Sequence, residues 1–402
     1  MSLSLRSRSR ERRRSVHHAG KGRRWPKRTL VGVSILVVVL VAGGLGGWLY
    51  INSVLGSIKR VSVPSESAEK SGAPIDVLLV GSDSRQFVDT PGEAAAFGSA
   101  STQTGQRADV IIIARLVPKT RQVEMLSIPR DTYVAIPGTG GSNRVNAAFN
   151  TGPNLLVKTI QADFGIPINH VMIANFKGFQ DMVNALGGIS LDFTYPVRDP
   201  YSGLNVSKLG CQTVNGTTAL ALVRSRHLYY FKDGWQYDGM SDWSRIQRQQ
   251  AFFHAVINKA DSEFPNLLAM RDFLQATAND LQVDAGFSSH EMLSLGLKFR
   301  GLASAGLATA VLPTTPTTID GNDVLLEAQP YSNEMISSFL AFGSPKSTDG
   351  TAKASASSAE NLTTGTAAAT TASETTGTTT PQSQVIFDNP NSLPEPWNPK
   401  PC

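Results

Sequence analysis

The chain has 402 residues and a formal net charge of +5. Eleven of its 37 Lys and Arg residues, but only one of its 32 acidic residues, lie in the first 28 positions, so this basic arm carries +10 and the remainder −5. A mildly acidic body with locally concentrated basic residues argues against a general polyanion surface and favours a site for a specific anion. Because membrane topology and anionic lipid account for the arm, we expect no nucleic-acid partner.

An apolar segment, residues 29–55, follows the basic arm (1–28). It includes Leu30–Ile51, which is uncharged and as long as the roughly 20 residues that a membrane-spanning helix needs. Positive flanking charge predicts a cytoplasmic N-terminus, a short polar stalk (56–73) outside, and an extracellular domain beyond it. A cleaved signal peptide is the alternative, but its apolar region is usually only about 7–15 residues long, which favours an uncleaved anchor in the cell membrane.

Residues 74–343 are predicted to form one large domain, because they are enough to bury a core of their own. Short apolar runs predict strands, helical periodicity predicts helices, and the Gly-, Ala- and Ser-rich segment Phe87–Gln106 predicts a loop. In chain order we predict strands at Ile75–Val80, Val110–Leu116, Val123–Ile128 and Thr132–Ile136, helices at Pro153–Phe164 and Phe176–Leu186, a strand at Ile189–Phe193, helices at Gly216–Val223, Asp242–Lys259, Leu267–Leu281 and Ser288–Phe299, strands at Ala310–Leu312 and Val324–Leu326, and a helix at Ser332–Phe342. Such alternation favours an α/β sheet with helices on both faces.

The C-terminal part has two segments of different composition. Residues 344–384 are rich in Ser, Thr, Ala and Gly without apolar periodicity, so we expect them to be disordered. Residues 385–402 regain apolar anchors such as Phe387 and Trp397, and are expected to dock back on the domain. Cys211 and Cys402, both outside by this topology, predict a disulfide, with two unpaired thiols as the alternative.

Polar clusters lie at the ends of the first two predicted strands. Asp83 and Arg85 follow the first strand, and Arg107 and Asp109 precede the second. The two aspartates are candidates to converge on one Mg²⁺ or Mn²⁺ ion, because Mg²⁺ uses one or two carboxylates and takes its other ligands from water and phosphate. An ordinary turn and a pair of strand-end aspartates without metal are the alternatives.

A third cluster, Ser127–Thr132, places Arg130 and Asp131 at a proline turn between apolar strands. Arg144 follows in a loop that enters a helix. A salt bridge that only caps the turn explains the Arg130–Asp131 pair equally well.

The segment Ala219–Gln250 concentrates basic side chains. Around Gln249 it holds Arg224, Arg226, Arg245 and Arg248, with Asp242 among them. Guanidinium groups offer forked donors that match phosphate oxygens, which indicates a clamp for a doubly charged anion. The alternative is a solvated helix face with a surface Asp242–Arg245 ion pair, but it leaves Arg224 and Arg226 unexplained. We regard His227 as structural, and a structural role is a candidate for Arg248.

The ordered motifs DVLLVGSDSR, RADVIIIARL, LSIPRDTYV, RVNAAFN, RSRH and DWSRIQRQQ resemble the LytR-CpsA-Psr family over about Ile75 to Lys259. The resemblance implies an α/β/α sandwich with a central mixed sheet, preceded by one transmembrane helix. It further implies a phosphotransferase that moves a glycan from a polyprenyl-pyrophosphate carrier to peptidoglycan or a glycosylated surface protein, with pyrophosphatase side activity. A non-catalytic module that binds lipid-linked glycans or regulates the wall is the alternative.

The same resemblance assigns roles to residues. Asp83 and Asp109 correspond to metal-site aspartates. The corresponding pyrophosphate ligands are Arg85, Arg107, Arg130, Arg224, Arg226, Arg245 and Gln249, with Arg144 where the family often has a basic residue. Asp131 and Asp242 are both candidates to accept the proton of the acceptor hydroxyl. Two departures are the Phe87–Gln106 insertion and the aromatic stretch Leu228–Ser241, a candidate for acceptor recognition or the lipid entrance.

Overall fold

The computed structural model of the protein describes residues 46–63, 72–82, 107–240, 242–263, 267–302, 307–343 and 397–402, with only the backbone at 242 and 267–270. Residues 46–50 are helical and exposed and belong to an N-terminal unit, Met1–Tyr50, separate from the unit Ile51–Cys402. Within the described ranges, no helix has the length and apolar character to cross a membrane. The basic arm, most of the predicted anchor and the segment 344–384 lie outside these ranges.

The strands are β1 (Lys59–Val61), β2 (Ile75–Ser82), β3 (Ala108–Val117), β4 (Gln122–Ser127), β5 (Tyr133–Ile136), β6 (Gly141–Arg144), β7 (His170–Asn175), β8 (Ile189–Phe193), β9 (Val197–Asp199), β10 (Leu204–Val206), β11 (Gly210–Val214), β12 (Tyr229–Phe231), β13 (Trp235–Tyr237), β14 (Leu281–Asp284), β15 (Leu307–Val311), β16 (Thr314–Ile319), β17 (Asn322–Glu327) and β18 (Lys400–Pro401). The helices of this unit, beyond a helical segment at residues 51–57, are α1 (Val145–Phe149), α2 (Pro153–Phe164), α3 (Phe176–Ala185), α4 (Gly216–Arg224), α5 (Asp242–Glu263), α6 (Leu267–Ala278), α7 (Ser289–Lys298) and α8 (Tyr331–Ala341).

The main sheet has seven strands in the order β1-β14-β7-β2-β3-β4-β15. The pairs β1–β14, β7–β2 and β4–β15 are parallel, whereas β14–β7, β2–β3 and β3–β4 are antiparallel. The predicted central mixed sheet is therefore confirmed. In this arrangement β2, β4 and β7 end at the edge of the sheet where β3 begins.

Helices cover both faces of the main sheet. Neighbouring residues of β3 point to opposite faces, so that Ile111 packs with Phe149 of α1 and Leu156 of α2, whereas Ile112 packs in a second core with Phe253 of α5. Since both cores are buried, the two helical layers and the sheet form the predicted α/β/α arrangement.

A third core lies beside the main sheet. Helices α3, α4 and α5 pack there on the three-stranded sheet β11-β8-β18 and the four-stranded sheet β10-β9-β12-β13. The C-terminal residues 397–402 dock on this part: the Trp397 ring stacks on Tyr230 with centroids 4.7 Å apart, and β18 pairs with β8. A disulfide joins Cys211 to Cys402, with their Cα atoms 6.0 Å apart.

Some predicted elements differ from the observed ones. The predicted helix Leu267–Leu281 is wrong at its end, because α6 stops at Ala278 and Leu281 begins β14, which is paired on both sides in the main sheet. β7 and the short strands β9 to β13 were not predicted from the sequence. The helix α4, which lies between β11 and β12, was predicted. β7 pairs with β2 and β14, which are distant in the chain, whereas β9–β10 and β12–β13 are hairpins of three-residue strands, too short to show an apolar alternation.

Candidate functional site

A cavity of about 230 Å³ opens where β2, β4 and β7 end and β3 begins. Ligand sites in α/β sheets gather at such strand ends. The polar part of the wall is formed by Asp109, Arg130, Asn175, Arg224, Arg226, Arg245 and Gln249. The apolar part is formed by Val110, Ala174, Phe176, Phe179, Leu220 and Val223, with Gly81 beside them. The fold thus brings together most of the predicted arginines and adds apolar surface to them.

Arg224 and Arg226 are held by the end of α4 and the loop that follows. Ser225 is extended, so the two arginine side chains fall on one side of the chain and Ser225 on the other. The buried Asp199 carboxylate accepts hydrogen bonds from Ser225 Oγ at 2.7 Å and from the backbone N–H groups of Arg226 at 3.1 Å and His227 at 3.0 Å. Burial alone would raise the pKa of Asp199, but the hydrogen bonds from Ser225 Oγ and from the backbone N–H groups of His227, Tyr201 and Ser202 outweigh it and lower the pKa. The carboxylate therefore remains charged and fixes the loop.

Helix α5 gives different environments to two arginines three residues apart. Arg245, 6% exposed, lines the cavity together with Gln249, whose amide donates to Val223 O at 3.2 Å. Arg248 is fully buried and donates to the Asp238 carboxylate at 3.2 Å. Because Arg245 is buried in the wall of a cavity, the interpretation of this helix as a solvated face is wrong. The structural role considered for Arg248 is confirmed.

Arg130 lies three residues after the end of β4, in a turn that contacts α1 through a hydrogen bond from Asn146 N to Arg130 O at 3.2 Å. Its guanidinium donates to the carboxylate of Asp109, and its Nε lies 3.4 Å from Asp131 Oδ2. The salt bridge considered for Arg130 and Asp131 is therefore present. Arg130 does more than form this salt bridge, because the same side chain lines the cavity.

A second cavity, of about 490 Å³, adjoins the first, because Arg130 and Arg226 line both. Its other walls are formed by Arg107, Asp131, Asn143, Arg144, Asn146, Ala147, Asn150 and Asp323. Arg144 ends β6, donates to Asp323 O at 2.8 Å and lies 3.6 Å from Asp131 Oδ1. Arg130 and Arg226 thus stand between a cavity with apolar walls and a cavity with polar walls.

Asn175 lines the first cavity. From the sequence it is only an Asn that directly precedes a predicted helix, a position typical of a helix cap. It caps α3, and its Oδ1 accepts a hydrogen bond from Gly178 N at 2.6 Å. That bond fixes the orientation of the amide. The buried Nδ2 has no acceptor among the described residues. Leaving a buried donor unpaired costs about 1–3 kcal/mol, and an oxygen of a ligand in the cavity would supply the missing partner.

An aromatic ring orients a further arginine of the wall. The guanidinium carbon of Arg224 lies 4.3 Å from the centroid of the Phe176 ring. A cation over an aromatic face is attracted by the ring quadrupole. Phe176 begins α3 directly after Asn175, so one helix start contributes an amide donor and an aromatic support to the same wall.

Not every predicted site residue is covered by the structure. Asp83 and Arg85 lie outside the described residues, as does the Phe87–Gln106 insertion, and the side chain of Asp242 is not described, although its backbone begins α5. Among the described residues, no group of three or more His, Cys, Asp or Glu side chains is arranged to hold a metal ion. The sequence pattern marked neither of two buried carboxylates, Asp199 and Asp238. Asp199 accepts hydrogen bonds from a loop 26 to 28 residues further along the chain, and Asp238 accepts one from Arg248, ten residues further on.

The layered fold and the arginine-lined cavity at its strand ends define the class: an α/β/α domain with a cavity lined by four arginines at the ends of its strands. A family model described as the LytR_cpsA_psr family matches residues 51–338 of the chain. The chain belongs to the LytR_cpsA_psr family, as its ordered motifs predict.

Individual relatives agree with this assignment. The probable cell wall biosynthesis protein LcpB of Corynebacterium glutamicum is 31% identical over 259 residues, which cover 64% of this chain and 58% of that protein. The polyisoprenyl-teichoic acid–peptidoglycan teichoic acid transferase TagU of Bacillus subtilis is 27% identical over 308 residues, 70% of this chain and 91% of that protein. A solved LytR-Csp2A-Psr enzyme from Actinomyces oris aligns with a TM-score of 0.57 and 26% identity, covering 70% of this chain and 95% of that one.

Proposed function

We propose that this protein is a phosphotransferase that moves a glycopolymer from a polyprenyl-pyrophosphate carrier to a cell-wall acceptor, and that it works at the outer face of the cell membrane. The observation that carries the proposal is the cavity in which four arginines and Gln249 meet apolar side chains. Guanidinium groups match phosphate oxygens and keep their charge, while Phe179 and Leu220 offer surface for the first units of a polyprenyl chain. The name of TagU describes a transfer from a polyisoprenyl carrier to peptidoglycan, which supports the same reaction class.

The reaction is a displacement at phosphorus. The hydroxyl oxygen of the acceptor attacks the phosphorus that carries the glycan, and a new P–O bond forms as the bond to the bridging oxygen breaks. Polyprenyl monophosphate leaves with that oxygen and its electron pair. The products are a glycan joined to the acceptor through a phosphodiester, polyprenyl monophosphate and one proton. Positioning and charge neutralisation carry most of such a reaction.

The positions of the arginines suggest a division of roles. Arg130 and Arg226 line both cavities, so they would hold the phosphoryl group that is attacked. Arg224, Arg245 and Gln249 line only the cavity with apolar walls, so they would hold the phosphate that leaves with the lipid. Donors fixed in a partly buried wall stabilise developing charge without rearranging during the reaction.

The carboxylate of Asp109 on the cavity wall suits a hard cation, because Mg²⁺ needs only one or two carboxylates and takes its other ligands from water and phosphate. Together with Asp83, which follows β2, it would hold Mg²⁺ or Mn²⁺. The bound ion would neutralise charge on the pyrophosphate oxygens. Arg107 and Arg144, on the wall of the polar cavity, would contact the glycan side of the donor, and Arg85 is proposed to assist them.

Two carboxylates are candidates to accept the proton of the acceptor hydroxyl. Asp131 lies on the wall of the polar cavity, from which an acceptor would reach the phosphorus. Asp242 begins α5, one turn before Arg245. Without an acceptor, water would take the place of the hydroxyl, so slow pyrophosphate hydrolysis is expected as a side reaction.

The deciding experiment uses the full-length protein in detergent with a polyprenyl-pyrophosphate-linked sugar. Release of polyprenyl monophosphate that requires Mg²⁺ and is lost in Arg245→Ala and Asp83→Ala supports the transferase. Tight binding of the donor without turnover, even with purified peptidoglycan supplied, would replace it with a non-catalytic glycan-binding function.

A further inference from the structure

The four-stranded sheet β10-β9-β12-β13 has one face in a core and one face in solvent. In its register Tyr229 pairs with Tyr237 and with Arg198, and Phe231 pairs with Trp235. Because side chains two apart in a strand share a face, these residues lie on one side of the sheet. The opposite side carries the buried residues Val197, Asp199 and Leu204 and the partly buried Tyr230.

The solvent side forms a continuous set of rings, here called the aromatic face: Tyr201, His227, Tyr229, Phe231, Trp235 and Tyr237. Ring centroids are 4.7 Å apart for Tyr201–His227, 6.5 Å for His227–Tyr237, 5.4 Å for Tyr229–Tyr237 and 5.5 Å for Phe231–Trp235. The guanidinium of Arg198 lies 3.9 Å from the centroid of Trp235 and 5.9 Å from that of Tyr229. It therefore links the Phe231–Trp235 pair to the group of rings that contains Tyr229.

These rings support one another and still face water. Tyr201 is 81% exposed, Tyr237 47% and Trp235 41%. Single exposed apolar residues are normal, but a contiguous exposed patch marks a surface that binds something. The contacts between neighbouring rings hold them in place, so that a ligand would meet a largely preformed surface.

The aromatic face begins beside the candidate active site. His227 follows Arg226, which lines both cavities, and the Asp199 carboxylate accepts hydrogen bonds from the backbone N–H groups of both residues. A polymer lying along the aromatic face would therefore pass close to the group that reacts.

We propose that the aromatic face binds a glycan strand of the acceptor; this inference rests on the proposed transferase function. The C–H edges of pyranose rings carry partial positive charge and stack on the negative faces of aromatic rings. Tyr and Trp side chains present large contact areas at little cost in conformational entropy, while the Tyr hydroxyl groups and Arg198 can bond to sugar hydroxyls.

The openness of the aromatic face favours the acceptor over the donor. In the proposed function the pyrophosphate anchors the donor in the cavities, and its first sugar would lie in the polar cavity, which Arg226 lines. The acceptor is a separate polymer that arrives from solution and needs an elongated, exposed surface on which to align. An extended polysaccharide strand fits this requirement.

The test compares the full-length wild-type protein with the double variant Trp235→Ala/Tyr237→Ala and the single variant Tyr201→Ala. Cosedimentation with purified peptidoglycan should weaken by about two- to tenfold for each ring removed. The ratio of transfer to hydrolysis should fall, whereas hydrolysis of the donor by water should be unchanged. Trp235→Phe and Tyr237→Phe should retain binding, and Tyr331→Ala, which removes a ring of 44% exposure elsewhere, is the matched control.

Several results overturn the inference. Unchanged binding and an unchanged transfer ratio in both the double variant Trp235→Ala/Tyr237→Ala and Tyr201→Ala would do so, as would weaker binding of the sugar-bearing donor in place of peptidoglycan. Loss of self-association on a sedimentation profile, with peptidoglycan binding intact, would assign the surface to a second copy of the chain. Failure of the transferase proposal is a separate result: the wild type would release no polyprenyl monophosphate while ring-dependent binding to peptidoglycan persisted.

Discussion

The guanidinium of Arg130, three residues after the end of β4, donates to the carboxylate of Asp109 at the beginning of β3. This contact holds the arginine on the wall shared by the two cavities. For Arg130→Ala we expect turnover of the polyprenyl-pyrophosphate donor to fall by about 10²–10³-fold, the loss typical of removing one donor to a developing charge. Arg130→Lys should lose less, because it keeps the charge but not the forked geometry.

Release of polyprenyl monophosphate measures this prediction. Arg271→Ala is the matched control, since Arg271 is an exposed arginine of α6 that is paired with Asp272 and does not line the cavity. An Arg130→Ala variant with wild-type turnover would show that the Arg130–Asp109 pair only closes a turn.

Arg245 and Arg248 provide an internal comparison on one helix. Arg248→Ala should lower the free energy of unfolding by about 3–5 kcal/mol, because it leaves the Asp238 carboxylate buried without its cation. Arg245→Ala should cost far less stability and instead abolish donor turnover. Urea unfolding and the turnover assay on both variants separate the two effects, and an exchange of the two phenotypes would contradict the assignment.

Asn175 can be tested without losing its helix cap. Asp caps helices as well as Asn does, so Asn175→Asp should leave the unfolding free energy near that of the wild type. It replaces the Nδ2 donor with a negatively charged oxygen, and we expect kcat/KM for the donor to fall by about tenfold or more. Unchanged kcat/KM in a stable Asn175→Asp protein would show that Nδ2 does not contact the substrate.

The arginines were predictable because residue type and spacing carry the chemistry. Arg224 and Arg226 two apart, and Arg245 and Gln249 four apart, are placed on common sides by backbone geometry alone. The residues that hold these arginines in place were not predictable in the same way. Asp199 acts on a loop 26 to 28 residues away in sequence, and its function arises only once β9 lies beside that loop.

The fold shows the same division. The helix Pro153–Phe164 and the strand Ile189–Phe193 have the predicted bounds, because a first-turn proline and a regular apolar pattern define them locally. β14 is only four residues long and follows a helical pattern; it is a strand because β1 and β7 flank it. Pairing with these two strands determines the structure of this segment, and the local sequence carries no signal for that pairing.

We expect His170 to make a pH-dependent contribution to the stability of the fold. Its Nδ1 lies 3.2 Å from Asp284 Oδ2 and its Nε2 lies 3.3 Å from Glu291 Oε1. Burial alone would lower the pKa of His170, but hydrogen bonds and charge attraction to these carboxylates outweigh it, so the pKa is raised. For Asp284, burial alone would raise the pKa, but hydrogen bonds, led by that from His170, lower it.

The raised pKa of His170 means that its protonated form stabilises the fold below the unfolded pKa of histidine, and that this contribution is lost as the pH rises through the folded pKa. The lowered pKa of Asp284 gives a contribution that is lost as the pH falls through its folded value. The stability difference between the wild type and His170→Gln should therefore be largest between about pH 3.9 and 6.5 and shrink at higher pH. Urea unfolding across pH measures this difference, and His290→Gln, which changes an exposed histidine of α7, is the matched control variant.

The Cys211–Cys402 disulfide joins residues that are 191 positions apart in the chain, and so closes a long loop in the unfolded chain. In the chain-entropy model such closure contributes up to about 5 kcal/mol. Residues 397–402 also have non-covalent anchors, since Asn398 accepts a hydrogen bond from Arg248 Nη1 at 2.7 Å and Trp397 stacks on Tyr230.

We therefore expect Cys211→Ser and Cys402→Ser to lower the melting temperature to a similar extent, and the double variant to lower it no further, because either change opens the same bond. Mass analysis of the non-reduced wild-type protein checks the premise, and two free thiols there would contradict it. If the disulfide is present but its loss leaves the melting temperature unchanged, the non-covalent contacts of Asn398 and Trp397 are sufficient to hold the C-terminal residues in place.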